Sequence, residues 1–185
     1  MRRMKKLRFE KWMIKEAFRK SEDLGLINNS ITKGRGNLAG YLSEIALSEY
    51  LECTNVSCDK GVDKYDFDLI KNGVKIEVKT KRRTVDPRIF YEVSIAETSK
   101  HQKADIYAFT SITFREKRGT GRDCKYFGIK SIWLCGFIFK NKYFQAAKHL
   151  KAGDIDESNG FKVHANMYNL PITGLSSNFQ ELFND

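Results

Sequence analysis

The sequence is poor in the residues that build thiol- and imidazole-based sites. Its 185 residues include 4 cysteines, 3 histidines and 2 prolines. The cysteines are Cys53, Cys58, Cys124 and Cys135; they form no CxxC pair and match no familiar zinc spacing. We therefore expect reduced thiols rather than disulfides, as in a cytoplasmic protein. The histidines are scattered along the chain, which argues against a histidine-based metal site.

Long apolar runs are missing as well. Charged residues recur every few positions in Met1–Lys20, unlike the uninterrupted apolar segment of a signal peptide. The longest apolar run, Ile132–Phe139, falls well short of the ~18 residues that a membrane span needs. This run predicts a buried strand, and we expect no membrane partner.

Acidic residues are scarce relative to basic ones. The chain has 33 Lys+Arg against 23 Asp+Glu, a net charge of +10. Residues 1–36 hold eleven basic and four acidic residues, and residues 71–83 hold six and one. The sign reverses in residues 151–185, which hold two basic and five acidic residues. A basic body suits a polyanion such as nucleic acid, although solubility alone would explain the same excess.

Apolar periodicity predicts a chain of mixed helices and strands. Helical spacing covers Leu7–Leu24, Asn37–Leu51 and Lys142–Leu150, with a short helix at Glu97–Lys103. Strand patterns cover Cys53–Cys58, Ile89–Ile95, Ala104–Phe114 and Ile129–Phe139. Residues 28–36 and 115–125 are polar, glycine-containing loops, and Gly160–Leu175 is expected to add only small irregular pieces.

A tight hairpin is predicted at Asn72-Gly73, because a type I′ turn needs a positive φ at both central residues. With these residues at the turn, Asp68 faces Glu77 across the ladder. Asp66 and Lys79 lie on that same face, since strand side chains alternate. On the other face we expect the apolar set Phe67, Leu69, Val74, Ile76 and Val78. Two opposed carboxylates repel each other, and a bound divalent cation would turn that repulsion into a site.

The oxygen ligands offered here suit Mg²⁺, with Mn²⁺ as a substitute. Asp68 and Glu77 provide two carboxylates, and a backbone carbonyl near Val78 adds a third ligand. Lys79 follows on the same face, roughly 6.6 Å along the strand from Glu77. Its ammonium group is expected to contact a phosphate or an attacking water, as a general base or as a charge clamp.

Two basic groups and one helical carboxylate complete the candidate site. Lys81, Arg82 and Arg83 continue the strand as a run suited to neighbouring phosphates, and Lys33 and Arg35 are further candidates in a loop. The Asn37–Leu51 helix has an apolar stripe of Leu38, Leu42, Ile45 and Ala46. Glu44 lies on a different face of this helix, beside the small residue Gly40, which permits close approach of a neighbouring element.

The motif Asp68…Glu77-Val78-Lys79, with Glu44 on a preceding helix, resembles the PD-(D/E)XK nuclease superfamily. The resemblance covers residues 37–114, and it implies an α/β (α+β) restriction-endonuclease-like core of mixed β-sheet flanked by helices. It implies that Asp68 and Glu77 bind the metal, that Lys79 is the catalytic lysine and that Glu44 supports the metal or its water. Gln102 matches a supporting polar residue of some members. No proline precedes the aspartate, which departs from the full motif.

The function implied by this resemblance is a Mg²⁺-dependent deoxyribonuclease, an endonuclease that is structure-selective, like a Holliday junction resolvase, or compact and restriction-like. A non-catalytic nucleic-acid-binding module of the same fold and an RNA-directed nuclease are the alternatives. Many members dimerise, so a homodimer is one expected arrangement. We expect one domain over residues 1–185: a basic helix and loop at 1–36, a catalytic core at 37–140 and an extension at 141–185.

Overall fold

A computed structural model describes residues 4–24, 37–57, 66–115 and 128–179. The helices in these ranges are α1 (Lys11–Leu24), α2 (Asn37–Leu51) and α3 (Lys140–Ala146). The strands are β1 (Lys5–Leu7), β2 (Thr54–Asn55), β3 (Leu69–Lys71), β4 (Val74–Arg83), β5 (Glu92–Ala96), β6 (Ile106–Phe114), β7 (Ile129–Phe139), β8 (Lys148–Leu150), β9 (Ile155–Asp156), β10 (Phe161–Lys162) and β11 (Met167–Pro171).

The main sheet has six strands in the order β1-β7-β6-β4-β3-β2. Strands β4 and β6 run parallel, and the other neighbouring strands are antiparallel. The chain therefore combines a mixed sheet with helices, and the mixture of helices and strands is what the apolar periodicity predicts. The parallel pair needs a crossover, and here β5 and a short 3₁₀ helix, Glu97–Ser99, provide it.

The two faces of the main sheet are covered by different layers. Ile76 and Val78 of β4 belong to a buried cluster with apolar residues of α1 and α2. Because strand side chains alternate, Glu77 and Lys79 point to the opposite face. On that face Tyr107 of β6 packs in a second cluster with residues of β5 and β11. These strands belong to a three-stranded sheet of order β5-β11-β8.

Helix α2 has the predicted bounds, and its predicted apolar stripe is buried. The stripe is not the only buried surface, because Ser43, Glu44 and Ser48 are buried too. The helix contacts α1 and β4, so most of its circumference is enclosed. Enclosure on several sides explains why a carboxylate of α2 is removed from water.

The predicted Ile89–Ile95 strand begins only at Glu92, and the predicted Glu97–Lys103 helix is only a 3₁₀ helix at Glu97–Ser99. Three further predicted elements need a larger correction. The Leu7–Leu24 helix begins only at Lys11, because Lys5–Leu7 instead pairs as an edge strand with β7. The Lys142–Leu150 helix ends at Ala146, and the residues after it form β8. Gly160–Leu175 contains β11, which pairs with both β5 and β8. In each case long-range strand pairing overrides the local helical or irregular pattern.

Two further findings concern the membrane and the thiols. Across the described ranges, no helix is both long and apolar enough to cross a membrane. Cys53 and Cys135 are free thiols, and burial raises the pKa of each, to about 11 and about 12 respectively. Such thiols stay protonated at neutral pH and are poor nucleophiles, which agrees with a structural role. Cys58 and Cys124 lie outside the described residues.

Candidate functional site

The β3–β4 hairpin turns at Asn72-Gly73, as predicted. Asn72 has φ 48° and Gly73 has φ 78°, the left-handed conformations that a type I′ turn requires. The ladder then has the predicted register, pairing Lys71 with Val74, Ile70 with Lys75 and Leu69 with Ile76. A two-residue turn with this chemistry therefore fixes which residues of β3 and β4 lie side by side.

The ladder ends at the Leu69–Ile76 pair, three pairs earlier than predicted. The Asp68 N–H donates to the Ile76 carbonyl at 3.0 Å, and Asp68 Oδ2 accepts a hydrogen bond of 2.8 Å from the Val78 N–H. The Asp68 carboxylate thus accepts the hydrogen bond that a backbone carbonyl would accept if the ladder continued. The predicted ladder pairs of Asp68 with Glu77, Phe67 with Val78 and Asp66 with Lys79 do not form. Asp68 instead caps the open edge of β4 with its carboxylate.

The residues before Asp68 leave the predicted faces. Phe67 packs with Val56 and Ala104 in a small separate cluster, not with the apolar face of β4. Asp66 Oδ2 forms an ion pair of 2.7 Å with Lys103 Nζ, and hydrogen bonding to this lysine lowers the pKa of Asp66. Asp66 is therefore engaged away from the Glu77 carboxylate, whereas Asp68 interacts with it.

Glu44 reaches the site from α2. Its carboxyl group is buried, and this burial raises its pKa to about 7. A hydrogen bond with Ser57 opposes that rise, while the charge of Glu77 adds to it. Gly40 lies one turn before Glu44, and a Cβ on Gly40 would be 3.7 Å from Glu44 Oε1. The small residue that the sequence placed beside Glu44 does lie against its carboxyl group.

Glu77 and Lys79 lie on the opposite face of the sheet from Ile76. Glu77 Oε1 accepts hydrogen bonds from Lys79 Nζ at 2.7 Å and from Gln102 Nε2 at 2.8 Å. Lys79 Nζ also lies 3.4 Å from Ser99 Oγ. Gln102 and Ser99 both belong to the crossover between β4 and β6, so this connection positions the carboxylate and the amine together.

The carboxyl groups of Glu44, Asp68 and Glu77 therefore interact near the start of β4, where β3 pairs with it. Burial raises the pKa of Asp68 well above its usual range, and the charges of Glu44 and Glu77 raise it further. Glu44 Oε2 and Glu77 Oε2 are buried and have no hydrogen-bond partner. A buried polar atom without a partner is costly, so the cluster is electrostatically unsatisfied as it stands.

The oxygen atoms of this site are of the type that a hard divalent cation binds. Their present arrangement is not that of a formed metal site. Among the described residues no three His, Cys, Asp or Glu side chains are arranged to hold a metal ion. Two of the carboxylates have other partners instead: the Lys79 ammonium pairs with Glu77 Oε1, and the Val78 N–H donates to Asp68 Oδ2. The Val78 carbonyl points to the same strand edge as its N–H, next to Asp68. Two unpartnered carboxylate oxygens and this carbonyl are the ligands that Mg²⁺ prefers.

The predicted phosphate-binding residues differ in how exposed their side chains are. Lys81 Nζ lies 3.1 Å from Ser94 Oγ of β5, and burial, followed by the charge of Arg83, lowers the pKa of Lys81. Arg83 donates to the Glu92 carbonyl at 2.9 Å. These two side chains are turned against β5, whereas Arg82 is exposed and lies over the Phe114 ring. Lys33 and Arg35 lie outside the described residues.

Sequence reasoning missed one residue of the site. Lys20 of α1 lies 3.3 Å from both Asn55 Oδ1 and Ser57 Oγ, and its charge lowers the pKa of Glu44. The basic pattern of α1 indicates several exposed lysines and does not distinguish Lys20 from the others. Only the packing of α1 on α2 brings it to the carboxyl cluster.

Comparison with known families, curated proteins and solved structures gave no match to this chain. The function is therefore inferred from the residues of the site. The main observation is that Glu44, Asp68 and Glu77, from a helix, a strand end and a strand, interact beside one lysine ammonium.

Proposed function

We propose that this protein is a metal-dependent nuclease that hydrolyses DNA phosphodiester bonds, and that its sheet is a restriction-endonuclease-like core. The observation that carries the proposal is the carboxyl cluster of Glu44, Asp68 and Glu77. It is buried, it keeps two oxygens without partners, and a lysine ammonium lies 2.7 Å from one of its members.

A purely structural role accounts poorly for this cluster. Burying one carboxylate without compensation is unfavourable, and bringing a second one near it adds repulsion. The raised pKa values of Glu44 and Asp68 express that cost. A divalent cation offsets the repulsion and gives the unpartnered oxygens a ligand, which supports a metal-binding role over a packing role.

The residues divide the chemistry of hydrolysis among them. When bound, Mg²⁺ would supply charge neutralisation at the phosphate and a more acidic water. Asp68, Glu77 and the Val78 carbonyl would hold the ion, and Glu44 would support the ion or its water from the helix side. The Lys79 ammonium, on the same face as Glu77, would contact the phosphate or exchange a proton with the attacking water. Gln102 keeps Glu77 oriented through its hydrogen bond.

The order of elements supports the proposed core. Helix α2 is followed by β2, β3 and β4, and a crossover then leads to β6, which is parallel to β4. The superfamily resemblance rests on the order helix, strands, hairpin, helix and strand; here the second helix is only the short 3₁₀ helix Glu97–Ser99, preceded by β5. A shared fold supports a function only by analogy, so the site chemistry carries the proposal. The net charge of +10 supports a nucleic-acid substrate in particular.

A cleavage panel tests the proposal directly. Wild-type protein with Mg²⁺ or Mn²⁺ is incubated with linear duplex, single-stranded, flap and four-way-junction DNA, and with RNA. We expect metal-dependent cleavage of DNA that Asp68→Asn lowers about 1000-fold, because several kcal/mol of charge stabilisation are lost. Asp66→Asn is the matched control; its carboxylate pairs with Lys103, so cleavage is retained.

Binding measurements separate the alternatives. An enzyme keeps its DNA affinity in Asp68→Asn while losing cleavage. A non-catalytic binding module shows no cleavage in either protein and equal or tighter binding in the variant. Cleavage confined to RNA would replace the proposed substrate. Equal loss of activity in Asp66→Asn and Asp68→Asn would contradict the assignment of the site to Asp68.

A further inference from the structure

The loop between β4 and β5, residues 84–91, exposes three large apolar side chains within six residues of the sequence. Val85 is 53% exposed, Ile89 is 52% exposed and Phe90 is 62% exposed. Single exposed apolar residues are common, but three in one short loop indicate a surface that contacts a partner. We call this segment the 84–91 loop.

The backbone of the 84–91 loop is held at both ends. Asp86 Oδ1 accepts a hydrogen bond of 2.7 Å from Ser131 Oγ on β7, and this bond keeps the pKa of Asp86 at about 2. The Ile89 carbonyl accepts from the Thr173 N–H at 3.1 Å, and the Tyr91 carbonyl accepts from the Ile172 N–H at 2.9 Å. The apolar side chains are therefore displayed on an anchored backbone and cannot fold back into a core.

One arginine lies at the apolar tip, and a second is exposed just before the loop. Arg82 and Arg88 are exposed, and the Arg88 guanidinium lies 5.9 Å from the centre of the Phe90 ring. The acid of the loop, Asp86, accepts a hydrogen bond from Ser131, and its charge is partly offset by Lys130 at 3.5 Å. An apolar wedge with arginines beside it is the combination that proteins insert between DNA base pairs. The charge complementarity therefore favours nucleic acid as the partner.

The 84–91 loop and the carboxyl cluster are joined by one rigid strand. Glu77 and Arg83 both lie on β4, and six residues at ~3.3 Å each place them about 20 Å apart along it. The same distance along a DNA duplex is about six base pairs at ~3.4 Å each. A duplex that runs alongside β4 would span both places, with the loop some base pairs away from the site of cleavage.

We propose that the 84–91 loop is an apolar wedge that inserts Phe90 into a base step of duplex DNA, about six base pairs from the bond that is cut. This inference rests on the proposed nuclease function and narrows its substrate. Unstacking costs a few kcal/mol in a perfect duplex and least at a mismatched or damaged base. The substrate class is therefore duplex DNA with a weakened stack, such as a mismatch or a junction.

Tryptophan fluorescence tests the insertion. Phe90→Trp is made in the full-length Asp68→Asn protein, so that the DNA stays intact, and the parent protein gives the background of Trp12 and Trp133. The probe is a 30-base-pair duplex with one central mismatch, beside its fully paired form. We expect quenching of the new tryptophan on DNA binding, at lower DNA concentration with the mismatch. Phe161→Trp is the matched control: Phe161 is 55% exposed on β10, outside the 84–91 loop, and should stay unquenched.

Affinity gives a second measurement. Phe90→Ala lowers affinity for the mismatched duplex about 10-fold, as expected from the loss of one base–aromatic stack worth ~1–3 kcal/mol. Phe161→Ala leaves it unchanged. An unquenched Phe90→Trp protein overturns the wedge, whatever the affinities. Dissociation of an oligomer by Phe90→Ala, seen by sedimentation, also overturns it and assigns the patch to a second copy of the chain.

The two proposals fail in different ways. Quenching and a mismatch preference without any cleavage by the wild-type protein leave the wedge in place and remove the nuclease. Metal-dependent cleavage with an unquenched Phe90→Trp removes the wedge and leaves the nuclease. No DNA binding by the wild-type protein removes both.

Discussion

Glu44 carries the most unusual ionisation behaviour at the scale of single residues. It is buried on α2, and burial raises its pKa to about 7, whereas an unfolded glutamate titrates near its usual 4.5. The folded protein therefore binds a proton that the unfolded chain releases between these two values. The protonated form contributes stability below pH 4.5, and this contribution is lost as the pH rises through about 7.

We expect Glu44→Gln to remove the part of the pH dependence that Glu44 contributes. Without divalent cations, Glu44 alone should lower the wild-type free energy of unfolding by about 3 kcal/mol between pH 4.5 and 8, at ~1.36 kcal/mol per pKa unit. The neutral amide should make the fall shallower and leave the variant more stable at pH 8. Urea unfolding across pH measures both proteins. Glu49→Gln, an exposed position of the same helix, is the control and should follow the wild type; an equal change there would contradict the assignment.

Lys79 makes the second prediction at this scale. Its ammonium lies on Glu77 Oε1, where a cation would compete with it. Lys79→Met should therefore keep or tighten Mn²⁺ binding in calorimetry, while cleavage falls about 100-fold with the loss of an acid–base or clamp group. Lys75→Met is the control, because Lys75 lies on the same strand but its ammonium is over the Phe67 ring, whereas that of Lys79 is paired with Glu77. Loss of Mn²⁺ uptake in Lys79→Met would show that the lysine helps to form the metal site.

Among the elements, the β3–β4 hairpin and β7 show what the sequence could predict. The Asn72-Gly73 turn and the bounds of α2 and β7 follow from local chemistry, namely positive φ, helical spacing and one long apolar run. The point at which the hairpin ladder stops does not follow from it. That point depends on the Asp68 carboxylate taking the Val78 N–H, a side-chain contact that competes with the backbone.

The errors in predicting elements share one physical cause. Strand β8 reads as the end of a helix, and β11 reads as irregular, because each is a strand only through its partner. Lys20 joins the carboxyl cluster through helix packing, and Lys81 turns inward because β5 covers it. Contacts between distant parts of the chain carry no local signal, so the positions of these residues could not be read from spacing.

Gly136 offers a prediction at the scale of elements. It lies in β7 next to a register shift in the β6–β7 ladder, with φ 144°. A Cβ there would be 2.6 Å from the Ser176 carbonyl oxygen and 2.8 Å from Leu175 Cβ. Gly136→Ala should therefore destabilise the protein by about 2–4 kcal/mol in urea unfolding, through overpacking and strained backbone.

Gly153→Ala is the matched comparison for Gly136. Its φ of 100° is also positive, but a Cβ there meets nothing within 4 Å. Only the backbone term remains, so we expect a loss of about 1 kcal/mol. Equal losses at both glycines would show that the close contact with Ser176 is relieved by movement of the segment after β11.

At the scale of the whole molecule, the carboxyl cluster couples metal binding to folding. Its members come from α2, from the residue before β3 and from β4, so the cluster exists only when these elements are assembled. Mg²⁺ that binds the folded chain alone should raise stability by about 2.7 kcal/mol at a concentration 100 times its dissociation constant. Calorimetric melting with Mg²⁺ and with chelator measures this rise, and Asp68→Asn should abolish it. An equal rise in the variant would place the bound ion elsewhere.

The pairing of β1 with β7 has a consequence for how the chain is made. Lys5 pairs with Leu134, so the edge of β7 is covered by residues from the other end of the described core. On the ribosome, the hairpin at Asn72-Gly73 closes from neighbouring residues, whereas β1 waits without a partner until β7 has emerged. An uncovered strand edge templates association between chains. We therefore expect nascent chains that end before β7 to self-associate, and to be a main target of chaperones during synthesis.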